Sequence, residues 1–228
     1  MSVMFAFWCI AISAQQAEIT PPQDALKSYS LHGSPNSADF SEDETLVVTE
    51  CTTEEDTGPD VRKFSEVVQL WNFKQDRLIR EVLIQSAEAH ASIRGTYRNP
   101  IAGQKFVRFS YDGTLILAYI DNLLHVLQAS NLAEIRRIIP PGPPDVSRTT
   151  NSKRFGQHTF VEKPILQNLE ASPTGNLVAL LWTRGLLYSR VELYDFSAER
   201  AAGSWDVPQG WPAGKRGLTW HPSGKVLL

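Results

Sequence analysis

The chain has 228 residues, 42% of them hydrophobic and 21% charged, enough apolar material for one large or two small domains. A formal net charge of −3 argues against nucleic acid as a partner of the whole chain. Two cysteines are too few for a disulfide framework or a cysteine-based metal site.

Val3 to Ile12 is apolar apart from Cys9, and Ser13-Ala14-Gln15-Gln16 follows. A run of about ten apolar residues is too short to span a bilayer and has the length of a secretory signal. Ala14 suits the last position before cleavage, although no Lys or Arg precedes the run. Residues 1–14 are thus read as a candidate signal peptide, which places the protein outside the cytoplasm, secreted or periplasmic. The alternative is a disordered or packed apolar start on a cytoplasmic chain. Trp8 before Cys9 speaks against a lipoprotein anchor, and cleavage would leave Cys51 as a lone buried thiol.

Residues 15–35 form a polar extension with one weak strand, Leu26 to Leu31. A first unit spans 36–84. Ser37 to Glu50 reads as a hairpin, an acidic loop runs from Glu50 to Lys63, and strands follow at Val67 to Phe73 and Leu78 to Ile84. Gln85 to Gly103 is read as a connection with room for a helical turn or two at Ser86 to Arg94.

The second unit, 104–138, has the clearest pattern. Phe106 to Ser110, Thr114 to Ile120, Leu123 to Gln128 and Leu132 to Ile138 alternate with turns at Tyr111-Asp112-Gly113 and Ala129-Ser130-Asn131. Asp-Gly accepts the positive φ of a tight turn, so the unit is a four-stranded antiparallel meander. Ile139 to Lys163 opens with Pro140-Pro141-Gly142-Pro143-Pro144 and is read as a stiff, extended spacer. A third unit, 164–205, repeats the pattern: turn Ala171 to Gly175, then strands Asn176 to Trp182, Val191 to Phe196 and Arg200 to Trp205. Residues 217–228 begin a fourth.

The turn serines stand at 41, 110 and 172, with His221 in the equivalent place. Constant strand and turn blocks over a variable spacing mark a repeat architecture. Within each unit the second strand is apolar on both faces. Leu115, Leu117 and Tyr119 point one way, and Ile116, Ala118 and Ile120 the other. Both faces must therefore be covered, yet no amphipathic helices lie between the strands. Like sheets stacked about an axis meet that requirement.

The turn motifs F-S-Y-D-G, A-S-P-T-G and W-H-P-S-G resemble those of the WD-repeat family of β-propellers. So do the third-strand ends Leu70-Trp71-Asn72, Val126-Leu127-Gln128 and Leu193-Tyr194-Asp195. The resemblance covers Ser37 to Leu228 apart from the connections. It implies an all-β propeller of four-stranded antiparallel blades, about three blades plus the start of a fourth. There is no Gly-His dipeptide, and only Tyr194-Asp195 approaches Trp-Asp, so the family's buried hydrogen-bond tetrad is not carried over. The ring is incomplete on this count, and the pattern predicts the N-terminal part of a longer protein or a truncated product. By analogy with family members, Leu26 to Leu31 is a candidate ring-closing strand.

In this topology the second-to-third and fourth-to-next-first connections emerge on one face. All the long connections (50–66, 85–104, 139–164, 183–190 and 206–216) are of these kinds, so that face is the candidate binding face. Its candidate ligand-binding residues are Arg94, Arg98, Arg148, Lys153, Arg154, Arg184, Trp211, Lys215 and Arg216. They would form a basic mouth for an acidic peptide, glycan or phosphate. Solvated surface charge, partly neutralising Glu54, Glu55, Asp56 and Asp60, is the simpler account of the cations. Trp71, Trp182 and Trp220 read as blade core.

No catalytic, cofactor or metal motif is found. Gly210 to Arg216 is one residue short of a P-loop and has Arg where Ser or Thr is needed, and no histidines pair at metal-ligand spacing. The expected function is a non-enzymatic propeller scaffold that binds a protein or peptide, without a stable membrane span. The alternatives are a propeller domain of a larger enzyme, gating a hydrolase domain or holding a cofactor, and a structural relic with an incomplete ring.

Overall fold

The computed structural model describes residues 32–92, 96–152, 156–184, 188–207 and 218–227. The candidate signal peptide and the strand expected at Leu26 to Leu31 lie outside the described residues. Among the described residues every regular element is a β-strand. The first sheet contains β1 (Ser34–Phe40), β2 (Leu46–Gly58), β3 (Val61–Asn72) and β4 (Arg77–His90). The second contains β5 (Phe106–Phe109), β6 (Leu115–Ile120), β7 (Leu123–Gln128) and β8 (Glu134–Ile138). A two-stranded hairpin follows, β9 (Val146–Ser152) and β10 (Gly156–Glu162), and then the third sheet: β11 (Ile165–Ala171), β12 (Leu177–Arg184), β13 (Tyr188–Asp195) and β14 (Arg200–Asp206). β15 (Thr219–Trp220) and β16 (Val226–Leu227) form a final pair. Each four-stranded sheet is an antiparallel meander in sequence order.

The stacking of these sheets is written in β6. Leu117 and Tyr119 join Leu124, Val126 and Ile138 in one buried cluster with Leu166, Val178, Leu180 and Trp182 of the third sheet. Ile116, Ala118 and Ile120, on the opposite side of the same strand, pack with Val48, Val68 and Leu70 of the first. The second sheet therefore lies between its neighbours, and both faces of β6 are dry. β12 repeats the arrangement. Val178 and Leu180 face the second sheet, while Ala179 and Leu181 pack with Val207, Leu218, Trp205 and Trp220. The first strands β1, β5, β11 and β15 run side by side along the inner edge. These are propeller blades, and among the described residues they do not close into a ring.

Three expectations for the connections need correction. The acidic stretch after Glu50 is not a loop. β2 and β3 stay paired through Glu55↔Lys63 and Asp56↔Arg62 to a turn at Gly58-Pro59-Asp60. Ser86 to Arg94 holds no helical turn within its described part, because β4 continues to His90 and pairs with β3 as far as Val61. The first blade thus carries a three-stranded arm beyond its neighbours: β2, β3 and β4 have 13, 12 and 14 residues, against 6 each for β6 and β7. The spacer at 139–164 is neither extended throughout nor free. Pro140 and Pro143 are buried, Gly142 lies so close to the Trp182 ring that a Cβ there would meet it at 3.2 Å, and β9 and β10 form a hairpin beyond.

Candidate binding face and charged seams

The two ends of the blades differ in chemistry. At one end the first turn of each blade is closed by a side chain. Ser110 Oγ donates to Asp112 Oδ1 at 2.6 Å and accepts from the Leu115 N–H at 3.0 Å, while the Thr114 N–H donates to Asp112 Oδ1. Ser41, Asp43 and Thr45 reproduce this arrangement in the first blade, where the two hydroxyls and a backbone N–H hold the Asp43 carboxyl down to about 2. Glu44 and Gly113 both adopt positive φ, 54° and 67°, as their alignment requires. His221 takes the place of the serine in the last unit: its ring pairs with Ser223 Oγ at 2.7 Å, and its Nδ1 accepts from the Ser223 N–H. These turns are short and self-satisfied.

The opposite end carries the arm, the connection from Ala91 to Lys105 and the β9–β10 hairpin. The connection is laid against the arm. The Ala91 N–H donates to the Asp60 carbonyl at 2.8 Å, and the Arg62 guanidinium lies 4.6 Å from the centre of the Tyr97 ring. Arg62 also pairs with Glu54 and Asp56, so the arm neutralises part of its own acid.

Of the sequence-derived site residues, Arg98, Arg148 and Arg184 are described, and all three lie on this end. Arg98 is exposed on the connection. Arg148 pairs across the hairpin with Glu162 at 2.8 Å. Arg184 donates to the Pro144 carbonyl at 3.0 Å and stacks 4.4 Å from the Tyr188 ring centre. Two of the three are therefore braced by their own chain, and the structure brings none of the three into a shared cluster. Arg94, Lys153, Arg154, Trp211, Lys215 and Arg216 lie outside the described residues. Trp205 packs against the third core cluster rather than standing free.

Two polar constellations were missed in the sequence. The first joins the inner strands. An inner strand is a sheet edge, and its unpaired N–H groups need partners. The Val107 N–H donates to Ser37 Oγ at 3.1 Å and the Phe109 N–H to Asp39 Oδ2 at 2.8 Å, so β1 side chains cap the edge of β5. Burial raises the Asp39 carboxyl above its ordinary range despite that hydrogen bond. Arg108 then reaches the next blade with a two-pronged pair to Glu170, at 2.8 and 3.2 Å. At the following joint Asn168 donates to the Leu218 carbonyl, and Trp220 Nε1 to the Glu170 carbonyl at 2.9 Å. The signal was partial: Asp39, Arg108 and Glu170 each stand two residues before the turn serine, whereas Ser37 and Asn168 stand four before it and Trp220 one before His221.

The second constellation is buried between the first and second blades. Glu50 and Glu66 are fully buried, and Lys105 is 7% exposed. Lys105 Nζ lies 2.5 Å from Glu66 Oε1 and 3.0 Å from Thr52 Oγ1. Glu50 shares that face of the sheet, and neither of its oxygens has a well-formed hydrogen bond. On the blade-two side of the same seam His125 is buried with its Nδ1 3.0 Å from Glu134 Oε1, and Glu134 is gripped by Arg137 through two bonds of 2.9 Å. Burial lowers the His125 imidazole below its ordinary value, against the pull of Glu134.

Among the described residues no group of three or more His, Cys, Asp or Glu is placed to hold a metal ion, and no helix is long and apolar enough to cross a membrane.

An all-β chain whose antiparallel four-stranded blades stack face to face, with their first strands innermost, has β-propeller architecture, and its turns are WD-like. No family model matches the chain, and neither does any curated protein. Solved structures similar to it include the Cps50 (Swd1) β-propeller domain of Myceliophteria thermophila: 11% identity over 87% of this chain and 62% of that one, TM-score 0.44. Hydrazine synthase of Kuenenia stuttgartiensis is similar at 13% identity over 89% of this chain and 57% of its own, TM-score 0.46. A chain of the mitotic checkpoint complex is similar at 11% identity, covering 96% of this chain and 78% of that one, TM-score 0.32. This chain thus spans less than two thirds of the length of the first two.

Proposed function

We propose that the protein is a non-enzymatic propeller scaffold that binds a protein or extended peptide through the end carrying the arm, the 91–105 connection and the β9–β10 hairpin. The observation that carries this reading is the asymmetry of the two ends. One is closed by short turns whose serine and aspartate side chains are consumed internally. The other carries more than thirty residues in the arm, the connection and the hairpin, outside the four-stranded meanders that the blades share. Loops and arms held on a rigid scaffold bind with little ordering cost. Arg62 on Tyr97 and Arg184 on Pro144 and Tyr188 hold these elements in place. Arg98, together with the cations of the neighbouring connections, favours an acidic stretch in the partner.

Photo-crosslinking from the intact chain tests this. A crosslinker at Arg98 or Thr150 on the proposed face is compared with one at Glu42 or Ser130 on the opposite end. Capture of one common partner from the first pair of sites only, weakening with salt, is the expected result. Equal capture from Glu42 or Ser130 would refute the assignment of the face, and salt-indifferent capture the acidic partner.

A further inference from the structure

The seam between the first two blades seals in two carboxyls and a single ammonium. Glu66 has Lys105 at 2.5 Å and Thr52 Oγ1 at 3.2 and 3.1 Å from its two oxygens. Glu50, two residues before Thr52 on the same face of β2, is fully buried and has no cation of its own. Ionisable groups facing it are Glu66 from β3 and Lys105 from the connection, and β1 contributes only the uncharged Asn36. Across the seam, β7 presents His125, which is already engaged by Glu134, itself held by Arg137. A second buried anion beside Glu66 would be uncompensated, and a buried uncompensated charge is costlier than taking up a proton.

We propose that Glu50 is a neutral acid that holds its proton on the Glu66 carboxylate, so that the seam contains one ion pair and one stored proton rather than two anions. The proton moves to no other group: Lys105 stays an ammonium, Glu66 stays ionised, and the net charge of the three side chains is zero. A small rotation of the Glu50 carboxyl turns its O–H toward Glu66, which gives one of its two oxygens a hydrogen bond. Burial first, and the neighbouring Glu66 second, push the Glu50 carboxyl up to about 9. Because Lys105 closes the connection that carries Arg98, the proton also secures the base of the proposed binding face; this last step rests on the binding-face reading, whereas the proton itself does not.

The sign follows from linkage. Between the ordinary glutamate range and about 9 the folded chain binds one proton more than the unfolded chain. Folding stability therefore falls as pH rises through that window, by up to tenfold in the folding equilibrium constant per pH unit. Infrared spectroscopy of the intact protein, with glutamate carboxyl carbons isotopically labelled, tests the proposal. At pH 7 the wild type is expected to show the carbonyl stretch of a protonated glutamic acid. Glu50→Gln removes that band, and Glu66→Gln also removes it, because Glu50 then ionises against Lys105. Urea titrations of wild type and Glu50→Gln are expected to diverge by up to tenfold per pH unit between pH 5 and 9. Absence of the band in wild type at pH 7, its survival in Glu66→Gln, or parallel pH profiles would overturn the proposal.

Discussion

Lys105→Met isolates the charge at the seam while keeping the aliphatic stem. Lys105 and Glu66 have side chains only 5% and 0% exposed, so solvent screens the pair little. Removing one partner of such a pair typically costs about 3–5 kcal/mol, because the remaining charge is left buried. The variant has one escape, which is to protonate Glu66. Measured against the unfolded chain, protonating a glutamate costs about 3–4 kcal/mol at pH 7 and roughly 1 kcal/mol at pH 5, at about 1.4 kcal/mol per pH unit. The loss is therefore capped near 3–4 kcal/mol at neutral pH and shrinks toward 1 kcal/mol in mild acid. With a urea m-value of about 2–3 kcal/mol/M, the midpoint drops by roughly 1–2 M at pH 7. Combining Lys105→Met with Glu66→Gln removes the orphaned charge and should recover most of the loss. A loss under about 1 kcal/mol at pH 7, a cost unchanged at pH 5, or failure of the double variant to recover would each show that the pair does not hold the seam as argued.

Three further outcomes follow from the turns and from His125. Glu44 and Gly113 occupy equivalent turn positions at φ 54° and 67°. Left-handed backbone costs a residue with a Cβ roughly 1–2 kcal/mol. Glu44→Gly should therefore stabilise by about 0.5–1 kcal/mol after the flexibility of glycine is counted, and Gly113→Ala should destabilise by about 1 kcal/mol, both measured by urea unfolding. His125 should titrate below the ordinary histidine value of 6.5 when its ring is followed by NMR, because burial outweighs Glu134. Its folded form excludes a proton that the unfolded chain accepts, so this contribution to stability is present above 6.5 and is lost as pH falls below it; a raised value would show that Glu134 outweighs burial.

The blades were legible because their constraint has few solutions. Leu115 to Ile120 is apolar at every position, so both faces of a six-residue strand must be dry, and the structure covers Ile116 with the first blade and Tyr119 with the third. The turns were legible because Asp112-Gly113 names its own backbone conformation, and the match at Asp43-Glu44 survived the loss of glycine. The arm was not legible. Thr53 to Lys63 is charged, has a Gly-Pro pair and offers no alternating apolar face. It forms strand because the hairpin register continues from the core, with Phe64 only 3% exposed, and because Ala91 and Tyr97 are fixed to Asp60 and Arg62 of the arm. The β9–β10 hairpin was hidden for a similar reason: Ser147, Arg148, Thr149 and Thr150 are all exposed, so no hydrophobic period marks it. Arg148 and Arg184 were legible as cations among the long connections, but sequence spacing gave no sign that Glu162 and Pro144 already hold them.

The inner edge explains how the repeats can be so degenerate and still stack alike. Where first strands converge, each presents N–H and C=O groups that no sheet partner satisfies, and close packing keeps water from serving them fully. The fold requires a polar side chain that reaches from one inner strand to the next, and it does not require a particular one. At the first joint serine and aspartate accept from backbone N–H groups. At the second an arginine and a glutamate form a forked pair. At the third an amide and an indole donate to carbonyls. Each joint links the inner strands with different atoms: the first and third pair side chains with edge backbone groups, and the second pairs two side chains across the edge. What is held from blade to blade is a polar link between successive inner strands, whose residues and offsets change with the backbone or side-chain group each one has to reach.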